Sequence, residues 1–274
     1  MLQREIQLKP HIGSDLIPPV NLSMTGELAS AYHSGAQRAR IVTEAWGENN
    51  LYCPNCSSSS LSHLRSNTKA SDYSCPSCGF WYQLKGQQAR IGNHVNDGAY
   101  GVMLEAIRND VTPNFYFMQY ELATWSVKNL LLVPSFAFPT SAIIKRKPLA
   151  ITARRAGWVG CNIALYRIPA DARISIVTNS RVASAKSVRA QFRRVKPLAE
   201  IKAKERGWTL DVLNAVRRLG KKEFTTSDAY AFAREMEKLH PDNRHVKEKI
   251  RQQLQNLRDT GFLSHPDRGM WSVR

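Results

Sequence analysis

Two cysteine pairs constrain this chain more than any other feature. Cys53-Pro54-Asn55-Cys56 and Cys75-Pro76-Ser77-Cys78 are two C-x2-C knuckles with eighteen residues between them, within the usual spacing of a four-thiolate zinc site. A two-residue spacer lets both sulfurs of a knuckle converge on one point while backbone N–H groups face the thiolates. Two knuckles then complete a tetrahedron around Zn²⁺. With no open position the site is structural, and the ion contributes to the folding of the segment it clamps. Disulfides are disfavoured in a reducing cytosol, and a thioredoxin-like redox pair would not come in duplicate. The fifth cysteine, Cys161, stands alone in an apolar setting and reads as a small buried residue.

The knuckles sit in a chain of 274 residues with 43% hydrophobic and 22% charged side chains, the composition of a soluble globular protein of one large or two ordinary domains. No run approaches the 18 or so apolar residues of a membrane span, since Leu130-Leu131-Leu132-Val133 is cut short by Pro134. The opening Met1-Leu2-Gln3-Arg4-Glu5 lacks an apolar signal core. A cytoplasmic protein without a membrane partner is therefore expected. The formal net charge is +17. Residues 1–144 hold 10 basic and 10 acidic side chains, whereas residues 145–274 hold 29 and 12 and so carry the whole excess. A charge confined to one half points to a polyanion, and nucleic acid is the expected partner. The oligomeric state is left open; a monomer in solution is compatible with it.

Inside the clamped segment lies a second pattern. Trp81-Tyr82-Gln83-Leu84-Lys85 reads as a short strand between Gly79 and Gly86, and alternation puts Gln83 and Lys85 on one face. Asp72 precedes Cys75 by three residues, on what would be a neighbouring strand. An aspartate, then an acid or amide, one spacer and a lysine is the arrangement used by metal-dependent nucleases. The carboxylate and the side-chain oxygen hold Mg²⁺, and the lysine orients or helps deprotonate the attacking water. Taken alone the triplet is common, and Lys85 also fits an exposed strand lysine and Asp72 a turn residue.

The rest of the chain falls into segments. Residues 1–24 read as an irregular arm and Glu27 to Trp46 as one helix. Asn96-Asp97-Gly98 reads as a turn and Ala99 to Ile107 as a helix. Asn114–Tyr120, Trp125–Val133 and Arg173–Val177 read as strands, an α/β order. Between the last two lies a basic loop, Lys145 to Gly160, in which Arg154, Arg155 and Trp158 fit a surface lying on phosphates, the indole stacking on or wedging between bases. Trp158 equally fits a ring that plugs the core. Thr178 to Arg206 reads as a basic linker holding one helix. Three helices follow, from Trp208, Thr226 and Val246, with a terminal hairpin around His265–Gly269. That is the pattern of a winged helix with its third helix suited to the major groove, where Lys247, Lys249, Arg251 and Gln252 would meet DNA. Such modules also bind proteins.

Several longer strings carry a resemblance. Tyr52-Cys53-Pro54-Asn55-Cys56, Asn96-Asp97-Gly98-Ala99-Tyr100, Arg146-Lys147-Pro148-Leu149-Ala150, Thr152-Ala153-Arg154-Arg155-Ala156-Gly157-Trp158 and Lys247 through Gln255 occur in order from about residue 35 to the end. With them the chain resembles the DpnI-like methyl-directed restriction endonucleases, the Dam-replacing proteins. The resemblance implies an α/β PD-(D/E)XK nuclease domain with an embedded four-cysteine zinc site over residues 1–198, then a winged-helix DNA-binding domain over 199–274. It further implies Mg²⁺-dependent cleavage of double-stranded DNA at GATC sites whose adenine is N6-methylated. By position Asp72 corresponds to the metal-binding aspartate and Lys85 to the catalytic lysine. Gln83 departs from the pattern, standing where the family has glutamate; an amide oxygen can still ligate Mg²⁺ but without formal charge. Glu44, on the first helix, is a substitute ligand to consider. The competing readings are a methyl-DNA-binding protein that has lost cleavage through Gln83, and a zinc-ribbon regulator in which Asp72 and Lys85 have no role.

Overall fold

The computed structural model describes residues 19–65 and 71–274. Of the expected N-terminal arm, residues 1–18 lie outside the described residues, and Pro19 to Met24 are irregular apart from one bridge but partly packed on the body. Val20 and Met24 are buried, and Ser23 bridges Ser126.

A seven-stranded sheet forms the body. Its order is β1 (Ser62–His63), β2 (Tyr73–Ser74), β3 (Trp81–Gln87), β5 (Asn114–Glu121), β6 (Ser126–Val133), β9 (Ile174–Thr178) and β10 (Arg181–Val182). Only β3 and β5 run parallel, with Gln83 opposite Phe115 and Lys85 opposite Phe117. The central β5 buries Phe115, Tyr116, Phe117, Met118 and Tyr120 in succession, as a strand covered on both faces must. Each such side chain contributes about 1.5–3 kcal/mol. A second, three-stranded sheet has the order β4 (His94–Ala99), β8 (Gly160–Ala164), β7 (Ile143–Lys145), with helix α2 (Tyr100–Arg108) leading out of β4.

Three sequence expectations are corrected here. The single helix from Glu27 is instead a 3-10 turn, Gly26–Ala29, followed by α1 (Gly35–Asn50). Ser34 takes an extended conformation and starts the second helix. The stretch Asn96-Asp97-Gly98 is not a turn: ladder bonds to β8 hold it in β4, and Gly98 is the extra residue of a bulge between the Asp97–Cys161 and Ala99–Gly160 pairs. Turn propensity yields because the flanking residues have a partner strand. Finally, Thr178 to Arg206 is no linker. Strands β9 and β10 meet there, and α3 (Ala185–Val195) buries Val188, Phe192 and Val195 completely. Its cations hid a continuous apolar stripe. The 3-10 segment Lys196–Glu200 then buries Leu198.

The C-terminal part contains α4 (Ala203–Arg218), β11 (Glu223–Thr225), α5 (Thr226–Tyr230), α6 (Ala233–Leu239), α7 (Val246–Asp259), β12 (Leu263–Asp267) and β13 (Met270–Val273). The helix expected from Thr226 to about Leu239 is split at Ala231–Phe232, and its start is a capping box between Thr225 and Asp228. Strands β11, β13 and β12 form the small sheet of the hairpin. Helix α4 also docks on the body. Arg206 pairs with Asp110, and Arg217 with Asp171 at 2.6 Å. Asp211, itself buried, accepts from Ser141 Oγ at 2.6 Å and lies 2.8 Å from His240 Nε2.

Phe192 tests the packing of α3. Phe192→Ala should cost about 3–5 kcal/mol, read as a lowered urea midpoint; a residue in a linker would change it by less than about 0.5 kcal/mol.

Candidate active site

The two knuckles sit at different places in the fold. Cys53–Cys56 follows the end of α1, whereas Cys75–Cys78 forms the turn between β2 and β3. In that turn Cys75 N–H donates to Phe80 O, and Gly79 N–H to Cys75 O, with Gly79 at φ +73. Glycine suits this left-handed position. The four sulfurs lie within 4.8 Å of one another, with Cys53–Cys78 at 3.6 Å and Cys56–Cys75 at 3.5 Å. A tetrahedral ion with bonds of about 2.3 Å needs sulfurs about 3.8 Å apart, so the cluster fits a metal ion. Burial opposes ionisation of the Cys75 thiol, but the N–H groups of Cys78 and Ser77 and the neighbouring thiols pull it down to about 7. Arg189 of α3 buttresses the first knuckle, donating to Cys53 O at 3.3 Å and Ser58 O at 2.9 Å.

A cluster at this point ties the end of α1 to the tip of the β2–β3 hairpin. Further along the same contact, Tyr73 OH donates to Glu44 O at 2.8 Å, and Gly86 packs against Thr43. The opposite ends of these elements meet around a cavity of about 350 Å³ lined by Arg40, Glu44, His63, Asp72, Gln83 and Lys85 among others. Asp72 extends the β2 edge: its N–H donates to Tyr82 O, and its carboxylate accepts Leu84 N–H at 2.8 Å. Tyr73 pairs with Tyr82 in the hairpin register, so Asp72 and Gln83 neighbour each other across the strands. Thus Asp72 is brought to Gln83 and Lys85, and the three line one cavity with Glu44.

The cavity is lined by charges of both signs, Glu44 and Asp72 against Arg40, Arg65 and Lys85. Burial pushes the Asp72 carboxyl above its ordinary range; the Leu84 N–H opposes this, the charge of Glu44 adds to it, and Lys85 and Arg40 offset it. Glu44 is held by Arg40 Nε at 2.6 Å and faces His63 Nε2 at 3.6 Å. Lys85 Nζ lies 2.7 Å from Asp97 Oδ1, on the second sheet. Sequence reasoning missed Arg40, His63 and Asp97. The i,i+4 spacing of Arg40 and Glu44 was a usable signal; for the other two, no sequence spacing announces the contact.

The expected nucleic-acid residues fall on two surfaces. Arg154 and Arg155 are exposed on the loop between β7 and β8. Trp158 neither plugs the core nor stands free. It is half-buried, its ring covering Gly160 so closely that a Cβ there would stand 2.8 Å away, and the Arg155 guanidinium lies 4.9 Å from the ring centroid. The apolar side chain that stands free in this loop is Ile151, 92% exposed. On α7, Lys247, Arg251 and Gln252 border a surface hollow with Tyr230. Lys249 is half-buried and donates to Gln252 Oε1 at 2.8 Å. Cys161 is fully buried, and no helix among the described residues is long and apolar enough to cross a membrane.

An α/β body with a four-cysteine cluster, followed by a helix-turn-helix domain with a hairpin sheet, defines the class: a DNA-binding protein with a charged cavity in its body. Residues 20–201 match the DpnI family, described as the Dam-replacing family, and residues 204–272 match its C-terminal Dam-replacing HTH domain. The chain belongs to the DpnI, or Dam-replacing, family.

Two outcomes follow from the geometry. Cys75→Ser should remove the bound metal, from about one ion per chain to none by elemental analysis, and loosen the tertiary structure seen by near-ultraviolet circular dichroism; a full metal complement would contradict the four-sulfur cluster. Because the fold raises the Asp72 pKa, ionising this group weakens the fold. The penalty is absent below the unfolded value of about 3.9, grows as pH rises from there to the higher folded value, and is complete above it. With divalent ions chelated, Asp72→Asn should therefore raise the melting temperature at pH 7, and the gain should shrink as pH falls toward 4.

Proposed function

We propose that this chain is a metal-dependent endonuclease that cuts double-stranded DNA at GATC sites carrying N6-methyladenine. The observation that supports this most is the convergence of Asp72, Gln83, Glu44 and Lys85 on one cavity in a chain of the Dam-replacing family. In this reading the body is of the PD-(D/E)XK type, residues 1–198 form the nuclease domain, and residues 199–274 form the winged helix. The four cysteines hold Zn²⁺ as a structural ion, consistent with a closed sulfur set.

Asp72 and Gln83 are the Mg²⁺ ligands, both offering oxygen, the donor this ion prefers. Glu44 supplies the formal charge that the Gln83 amide lacks, and Arg40 and His63 fix its carboxylate. When bound, Mg²⁺ stabilises the charge that develops on the phosphate and lowers the pKa of a bound water. Lys85 would orient the attacking water and offer its ammonium to the scissile phosphate. Arg154, Arg155 and Trp158 grip the duplex beside the cut. Lys247, Lys249, Arg251 and Gln252 present the third helix to the major groove. The methyl group adds only about 1–3 kcal/mol to a single apolar slot, so discrimination calls for both modules to read the methylated site.

Gln83 is the observation that favours the second reading, a methyl-DNA-binding protein without cleavage. Plasmid from adenine-methylating and non-methylating hosts, digested with Mg²⁺ or with EDTA, separates the two. The nuclease reading requires cutting of the methylated plasmid alone, and only with Mg²⁺. Lys85→Ala should reduce cleavage by at least about 100-fold while leaving DNA affinity within about threefold; cleavage at the unsubstituted rate would refute the role of Lys85.

A further inference from the structure

The partner of Lys85 belongs to a different sheet. Lys85 is on β3 of the seven-stranded sheet, whereas Asp97 is on β4 of the three-stranded one, and their side chains meet at 2.7 Å. The Asp97 side chain is 7% exposed and that of Lys85 26%. Leaving a charge this deep unpartnered is costly, and Lys85 is the cation that meets Asp97. The Gly98 bulge sits immediately beyond Asp97, and bulges of this kind re-aim the neighbouring side chain.

The same rung of the second sheet leads to the DNA-contacting loop. Asp97 pairs with Cys161 on β8, and Cys161 pairs with Lys145 at the end of β7. The next residue, Arg146, donates its N–H to Gly160 O at 3.0 Å and opens the basic loop that holds Arg154 and Arg155. Asp97, Cys161 and Lys145 therefore stand side by side across three strands. The carboxylate that holds Lys85 is one rung from the root of the loop. Lysine has a flexible four-carbon stem and a charge without fixed direction, so its aim must come from what it touches.

Resting on the nuclease reading above, we propose that Asp97 is the positioning residue for Lys85: its carboxylate aims the ammonium into the metal cavity and fastens it to the sheet that carries the basic loop. Seating that loop on phosphates then sets the lysine against the scissile group. Asp97 has no contact with the reacting atoms and acts through Lys85 alone.

The test uses the full-length chain and two readouts. In the first, single-turnover cleavage of methylated duplex is compared with duplex affinity measured with Ca²⁺ in place of Mg²⁺. Asp97→Asn should slow cleavage about 10- to 100-fold, the scale of a misplacement near 1 Å, with affinity within about threefold, and Asp97→Glu should recover part of the rate. Adding Asp97→Asn to Lys85→Ala should bring no further loss, a coupling that general loosening of the fold would not produce. The second readout is pulse acylation of lysines followed by mass spectrometry. Asp97→Asn should raise labelling of Lys85 at least about threefold and leave other lysines unchanged. Unchanged labelling, a wild-type cleavage rate in Asp97→Asn, or full additivity with Lys85→Ala would each overturn the positioning role. If the unsubstituted chain cuts no DNA, the nuclease reading itself falls and Asp97 loses its catalytic purpose, whatever the labelling shows.

Discussion

The packing of α1 against the tip of the β2–β3 hairpin, pinned by four sulfurs, is the constraint on which the rest of the site depends. One knuckle ends the helix and the other makes the hairpin turn, so an ion between them fixes how far each element slides on the other. Tyr73 carries the same registry inward through its bond to the Glu44 carbonyl. As a result Glu44 on the helix faces Asp72 and Gln83 on the strands, although neither is a cysteine ligand. The cluster does no chemistry in this account; it sets the separation of groups that would.

Around this frame the charges are paired across separate elements. Asp72 is half-buried and its ionisation is opposed, Glu44 is paired with Arg40 and faces His63, and Lys85 is turned to Asp97. The charge of Glu44 adds to the cost of ionising Asp72, and Arg40 and Lys85 offset it. The helix-turn-helix domain is not a separate bead. Buried Arg206 and Asp211 of α4 meet Asp110 and Ser141 of the body, so α4 fastens the domain to the body.

Much of this was legible in the chain because the signals are local. The cysteine spacing places four sulfurs without any knowledge of the fold, and alternation alone puts Gln83 and Lys85 on one face of a strand. The terminal helices declare themselves by their apolar stripes, with Val246, Ile250, Leu254 and Leu257 on one side of α7. What the sequence hid is non-local. Asp97 lies in an Asn-Asp-Gly string that reads as a turn until β8 supplies ladder bonds, and its meeting with Lys85 joins two sheets. The basic stretch before α4 reads as a linker because Lys186, Arg189, Arg193 and Arg194 surround the apolar stripe of α3 that the core buries. Trp158, the ring expected either inside or free, lies across Gly160 because the loop folds back on its own root.

Asp72, Gln83 and Glu44 would together grip a divalent cation at the end of the hairpin away from the sulfur cluster. Crystals soaked in millimolar Mn²⁺ and measured at the manganese absorption edge test it directly. The account predicts an anomalous peak in the cavity bounded by these three side chains, distinct from any peak at the cysteines and lost in Asp72→Asn. A cavity without manganese, in crystals whose cysteine cluster is fully loaded, would contradict it.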